Sequence, residues 1–271
     1  MAPPQTNQNA HESDGNLQIS EHINRLAAEN RHLKRSITYL RSQVDVLQKK
    51  QIGSLETYNS TLHKLVAACE YRDQSIESHL LRLSKYSALL ASKIGLSDDD
   101  MQELEFASQL HDVGKAGIPE KILMKPGKLN DEEFSVMRLH TIMGGNMLAN
   151  QKSEMIKRAR EIALYHHERW DGSGYPVGLK RKHIPISARI VHLMDNFDAL
   201  TSKRPHKEPY PVDVASDIIQ GQSEKAFDPG LVDVLQDNLD SIIRIKAKVD
   251  TLEKMPAMNF NFSERDRLEV N

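Results

Sequence analysis

The stretch His166-His167-Glu168-Arg169-Trp170-Asp171-Gly172-Ser173-Gly174-Tyr175-Pro176 decides how this chain is read. Two adjacent imidazoles close an apolar-periodic helix and run straight into an acidic, double-glycine loop that proline ends. Ligand-capable groups therefore sit beside a backbone that needs glycine's special dihedrals. Upstream, Leu110-His111-Asp112-Val113-Gly114-Lys115 ends another amphipathic helix with an adjacent histidine and aspartate. Imidazole nitrogen with carboxylate oxygen suits borderline divalent metals such as manganese or iron, and a carboxylate can bridge two of them. Two such clusters point to one metal centre.

The rest of the composition narrows the setting. A chain of 271 residues can bury a sizeable core and leaves room for an accessory element. Lys+Arg 36 against Asp+Glu 38 gives a net charge of -2, which recommends neither a nucleic acid polymer nor an anionic membrane as partner. No apolar run approaches the roughly 20 residues of a membrane span, and Met1 to Asn16 lacks the basic and apolar regions of a signal peptide. Cys69 is the one cysteine, so no intrachain disulfide forms. The expectation is a soluble, cytoplasmic protein.

Residues 1–16 are rich in Pro, Gln, Asn and Ser and read as a disordered tail, because they bury too little to offset the entropy of ordering. Residues 17–70 read as a coiled-coil signalling helix. Ile23, Ile37 and Val44 fall at heptad position a with Asn30, while Leu26, Leu33, Leu40 and Leu47 fall at d. β-Branched a and leucine d favour a parallel two-stranded coil, and a buried asparagine fixes its register, so the pattern predicts a homodimer. After Leu47 an extra step of four, near Gly53, makes a stutter that either transmits rotation or adjusts the exit angle.

From residue 71 to 250 the pattern is helix after helix with no alternating strand, so the expected fold is all-α. Helices are expected over Arg72 to Ile94, Met101 to Gly114, Asn130 to Leu148, Ile156 to His167, Ser187 to Ser202, Pro211 to Gln220 and Pro229 to Lys246. Ser97 and Asp228 read as N-caps, Asn130 with Glu133 as a capping box, and Gly95 as a stop. Residues 251–271 form a C-terminal tail without periodicity. His79, His111, His140, His166 and His167 with Asp112 and Asp195 favour metal binding over seven separate structural roles. His11, His22, His32, His63, His183, His192 and His206 have no such company and read as surface or packing residues.

His111-Asp112-Val113-Gly114-Lys115-Ala116-Gly117-Ile118-Pro119 together with His166 to Pro176 resembles the HD-GYP family, bacterial phosphodiesterases that open cyclic di-GMP and form a branch of the HD metal-dependent phosphohydrolases. A third segment, Asp195-Asn196-Phe197-Asp198-Ala199-Leu200-Thr201-Ser202, follows in the family's order. The resemblance covers about Arg72 to Ile245 and leaves out the amino-terminal coil. It implies an HD-type helical domain with two divalent ions per chain, iron or manganese. His79, His111, Asp112 and Asp195 would hold one, and Asp112 would bridge to a second held by His140, His166 and His167.

The resemblance also assigns roles around the metals. Lys115, one helical turn after His111, would meet the scissile phosphate. Asp198, one turn after Asp195, would orient a ligand or move a proton. Arg204 and Lys207 resemble the basic pair that grips substrate phosphate or guanine. Glu168, Asp171, Gly172, Gly174, Tyr175 and Pro176 would shape the site wall or dock GGDEF-type cyclases. Two departures bear on substrate fit: Ile76 replaces a common threonine, and His206 stands where tyrosine is usual. Ser75 occupies the position from which a glutamate supports a third metal in some members, so the resemblance implies a two-metal centre releasing mainly linear pGpG. Alternatives are a non-catalytic cyclic-dinucleotide effector and a phosphodiesterase for cyclic GMP-AMP.

Overall fold

The computed structural model describes residues 76–203 and 208–253. The proposed coil, Cys69, Ser75, His206, the basic pair Arg204 and Lys207 and the C-terminal tail beyond Glu253 lie outside the described residues.

Nine α-helices follow in order among the described residues: α1 (Ile76–Lys93), α2 (Asp98–Ala107), α3 (Glu120–Leu123), α4 (Asp131–Met147), α5 (Glu154–Tyr165), α6 (Ile186–Thr201), α7 (Val212–Gln220), α8 (Pro229–Asp237) and α9 (Leu239–Glu253). No strand occurs among them, and one isolated bridge joins Ser223 to Phe227. The all-α expectation holds for these residues. None of these helices is long and apolar enough to cross a membrane.

Local chemistry sets several helix ends where the sequence predicts them. Gly95 leaves α1 at φ +79, a conformation glycine tolerates. Ser97 Oγ accepts the Asp100 N–H at the start of α2, and three aspartates fill that first turn. Asn130 and Glu133 exchange side-chain and backbone hydrogen bonds as a capping box on α4. Asp228 caps α8, and Pro229 takes the first helical position, where a missing N–H costs nothing.

The core forms where α1 packs against α2, α6 and α9, and where α5 packs against α2 and α4. On α1, Leu80, Leu83 and Leu90 are buried with Ile94 partly so, and Tyr86 joins them edge-on to Phe197 at 6.1 Å.

Two predicted helices are broken. The helix expected over Met101 to Gly114 ends at Ala107 and tightens into 3₁₀ turns over Ser108–Leu110 and Val113–Gly117, with His111 and Asp112 between them. Neighbours on an α-helix diverge by about 100°, so an unbroken helix would aim only one of His111 and Asp112 inward. The helix expected from Pro229 to Lys246 divides at Asn238, whose side-chain amide donates back to the Val234 carbonyl.

Candidate metal centre

Four helices and one turn deliver the donors. His79 comes from α1, His140 from α4, His166 from the C-cap of α5 with His167 behind it, and Asp195 from α6. His111 and Asp112 come from the turn between the 3₁₀ segments. Asp112, His140, His166 and His167 each bring a ligand atom within 4.8 Å of the others, and so do His79, His111 and Asp195. All seven predicted donors therefore fall in one of two groups.

Asp112 joins the groups. Its Oδ2 lies 3.1 Å from His111 Nε2, while Oδ1 lies 3.2 Å from His140 Nε2 and 3.7 Å from His166 Nε2. Lys115 ion-pairs with the same Oδ2. Burial alone would raise the Asp112 carboxyl, but Lys115 and His111 outweigh it and hold it well below the usual carboxylate range.

Backbone carbonyls fix the imidazole tautomers. Nδ1–H of His111 donates to Ser108, that of His140 to Met137 and that of His166 to Ile162, at 2.7 to 2.9 Å. Each Nε2 lone pair is thereby turned toward Asp112. The buried Nε2 of His140, Nε2 of His166 and Oδ1 of Asp112 make no hydrogen bond among the described residues. Such polar atoms are costly to bury unsatisfied. Neutral imidazole nitrogens around a shared carboxylate are what a divalent ion satisfies, so the donor set fits a metal. Burial pushes His140 down to about 4 and His167 well below the ordinary histidine value, which keeps both neutral at pH 7.

His79 is braced differently. Its Nδ1–H donates to Asp198 Oδ2 at 2.8 Å, and its Nε2 lies 3.7 Å from Asp195 Oδ1. Arg82 grips Asp198 through Nε at 2.6 Å and Nη2 at 3.1 Å, and reaches Asp250 of α9 at 3.1 Å. Burial would raise the Asp198 carboxyl, yet the hydrogen bonds from His79 and Arg82 hold it well below its ordinary value. Asp198 thus sits behind His79, hydrogen-bonded to its ring on the side away from Asp195. Sequence reasoning missed Arg82. The available signal was a cation three residues after His79, on the same helix face and among leucines.

The glycine loop forms one wall. Tyr175 stacks on His167 at 4.8 Å and 27°, and Arg138 of α4 lies 5.1 Å from the Tyr175 centroid. Burial raises the Tyr175 phenol, Asp112 and Asp195 raise it further, and Arg138 and Lys115 oppose them. Gly174 lies so close to the preceding turn that a Cβ would come within 2.4 Å of Arg169 N and 2.5 Å of His167 O. Asp171 is exposed and accepts from the Ser173 N–H and hydroxyl. Glu168 lies inside the loop. It is 1% exposed, and its carboxylate accepts N–H bonds from Val177, Gly178 and Leu179, so it braces the loop from inside and offers no surface to a partner. His192 is a packing residue, as expected: its Nδ1–H donates to the His166 carbonyl at 2.7 Å, and its ring meets Phe227 at 5.2 Å.

The chain belongs to the HD domain family, whose profile matches residues 59–231, and its two motifs place it in the HD-GYP branch. It is 43% identical over 185 residues to a cyclic di-GMP phosphodiesterase of Thermotoga maritima, covering 67% of this chain and 50% of that protein. It is 39% identical over 194 residues to the 3′3′-cGAMP-specific phosphodiesterase 2 of Vibrio cholerae, covering 72% of this chain and 37% of that one. The chain thus spans about half or less of the length of these relatives. The crystal structure of a cyclic GMP-AMP specific phosphodiesterase of Vibrio cholerae shares the fold, with a TM-score of 0.53 at 16% identity over 74% of this chain and 56% of that one.

Proposed function

We propose that this chain hydrolyses cyclic di-GMP to linear pGpG. The observation that carries the reading is Asp112, one carboxylate shared between His111 on one oxygen and His140 and His166 on the other. A carboxylate shared in this way can bridge two ions, which supports the two-metal reading, and similarity to a cyclic di-GMP phosphodiesterase supports the substrate class.

His79, His111, Asp112 and Asp195 would hold one divalent ion, and Asp112, His140, His166 and His167 a second, iron or manganese in each case. Bound there, the ions would supply a nucleophile from water at neutral pH and offset charge on the attacked phosphodiester. Lys115, which ion-pairs with Asp112, is assigned to the scissile phosphate. Asp198 with Arg82 keeps His79 in the tautomer whose Nε2 faces the site. Water adds to phosphorus, the P–O3′ bond breaks, and the departing oxygen takes a proton. Arg204 and Lys207 are assigned to substrate phosphate or guanine. Residues 17–70 are assigned to a parallel homodimer, and the loop at Asp171, Gly172, Gly174, Tyr175 and Pro176 to contact with GGDEF-type cyclases. The cytoplasm, where cyclic di-GMP acts, is the proposed location.

The test is incubation of the full chain, loaded with iron or manganese, with cyclic di-GMP, 3′3′-cyclic GMP-AMP and cyclic di-AMP, followed by chromatography. The expected result is fastest loss of cyclic di-GMP, with pGpG accumulating and GMP minor, because Ser75 offers a neutral hydroxyl where a third ion needs an anionic oxygen. Binding without turnover would instead make the chain an effector, and preferred cleavage of cyclic GMP-AMP would reassign the substrate.

A further inference from the structure

Arg138 projects from α4 onto the wall of the site and is held there by aromatic rings. Its guanidinium carbon lies 4.6 Å from the Phe134 centroid and 5.1 Å from that of Tyr175, and the two rings meet edge-on at 6.2 Å. Tyr175 stacks in turn on the candidate ligand His167, so Arg138 stands one aromatic layer beyond the metal donors. Arg82, Arg158 and Arg189 spend their guanidinium groups on carboxylates of the fold. Among the described residues the Arg138 guanidinium has neither an ion pair nor a hydrogen bond. Phe134, at 39% exposure, leaves the cluster open to solvent.

This arrangement serves a ligand better than it serves the fold. A cation on an exposed aromatic face stabilises by only about 0.5–1 kcal/mol, while the planar fork of five N–H donors remains available. Such a fork matches two acceptors side by side, as on a phosphate or on the O6/N7 edge of guanine. A cyclic dinucleotide whose scissile phosphodiester lies at the donor groups extends beyond them, and it carries a second phosphodiester and two bases.

Resting on the phosphodiesterase reading above, we infer that Arg138, stacked on Phe134 and Tyr175, is a substrate-binding residue that grips the part of the dinucleotide lying outside the scissile phosphate. Phe134 and Tyr175 position it. The grip acts on binding more than on the chemical step, because it is made at a distance from the reacting phosphorus.

The experiment compares wild type, Arg138→Ala and Phe134→Ala, each as the metal-loaded full chain, on cyclic di-GMP and on bis(p-nitrophenyl) phosphate, a diester too small to span the distance. Arg138→Ala is expected to raise KM for cyclic di-GMP roughly 10- to 100-fold, with the larger part of the loss in KM rather than kcat. The kcat/KM ratio of cyclic di-GMP to the small diester falls by a similar factor, and Phe134→Ala moves it in the same direction by less. Repeating the comparison on 3′3′-cyclic GMP-AMP locates the grip: an equal rise assigns it to phosphate, and a smaller one to a guanine edge. An unaltered KM for cyclic di-GMP in Arg138→Ala, or an equal loss on both diesters, would overturn the inference. Wild type inert toward cyclic di-GMP but active on the small diester would overturn the functional reading instead.

Discussion

His140 and His166 are held by carbonyls of their own helices, whereas His79 is held by a buried carboxylate that a buried arginine holds in its turn. The first kind of brace comes with the helix and needs no other residue. The second joins α1, α6 and α9 through Arg82, Asp198 and Asp250, and depends on side chains far apart in the chain. Exposure follows the same division. His140 and His166 are buried, while the side chains of His79 and Asp195 keep about a fifth of their surface. His140 and His166 thus form the buried floor, and His79 with Asp195 the solvent-facing side.

The largest expected effect comes from breaking what the two groups share. Replacing His111 and Asp112 together by alanine should bring hydrolysis to background and remove metal measured by elemental analysis, because both groups lose the common carboxylate. Activity near wild type would refute the assignment of Asp112 as the bridge. Next in size is Arg82→Met, which leaves Asp198 buried without its cation and should cost about 3–5 kcal/mol of unfolding free energy in urea. A cost near zero would mean that the brace behind His79 is dispensable to the fold.

The carbonyl-braced side can be tested through pH. Burial lowers His192, which donates to the His166 carbonyl, to about 4. The unfolded chain therefore takes up this proton first, near pH 6.5, so stability is full above 6.5 and falls as pH drops toward 4, by about 3 kcal/mol at most. His192→Asn, with its amide in place of Nδ1, should make thermal stability fall less steeply over that window. An unchanged slope would dissociate His192 from the acid sensitivity. The smallest effect expected is on the solvent-facing side. Asp198→Ala should weaken metal retention against graded chelator by roughly 10- to 100-fold. If it loses no more than a surface aspartate variant does, His79 needs no brace.

These differences explain what could be read in advance. The donors were legible because His111-Asp112 and His166-His167 are doublets at helix ends, and the caps at Ser97, Asn130 and Asp228 because capping is local. Arg82 escaped because its partner Asp198 is 116 residues away, and no local pattern reports such a pair. The break after Ala107 escaped because the apolar spacing continues through it, while the tightening answers to a backbone contact with α4. The bracing by Glu168 escaped for a related reason: its carboxylate collects three backbone N–H groups of the loop, which no local pattern reports.

That backbone contact with α4 is made at Gly114. A Cβ there would lie 1.9 Å from His140 O and 2.4 Å from Gly144 N, so the turn carrying Asp112 rests directly on the helix carrying His140. Main chain against main chain works as a gauge block between the turn that carries His111 and Asp112 and the helix that carries His140. Their separation is set by peptide thickness, which does not vary with side-chain size, so substitutions that repack the core elsewhere can drift without retuning the distance across the site. A methyl group at residue 114 would act as a shim, changing that distance before it changed any ligand.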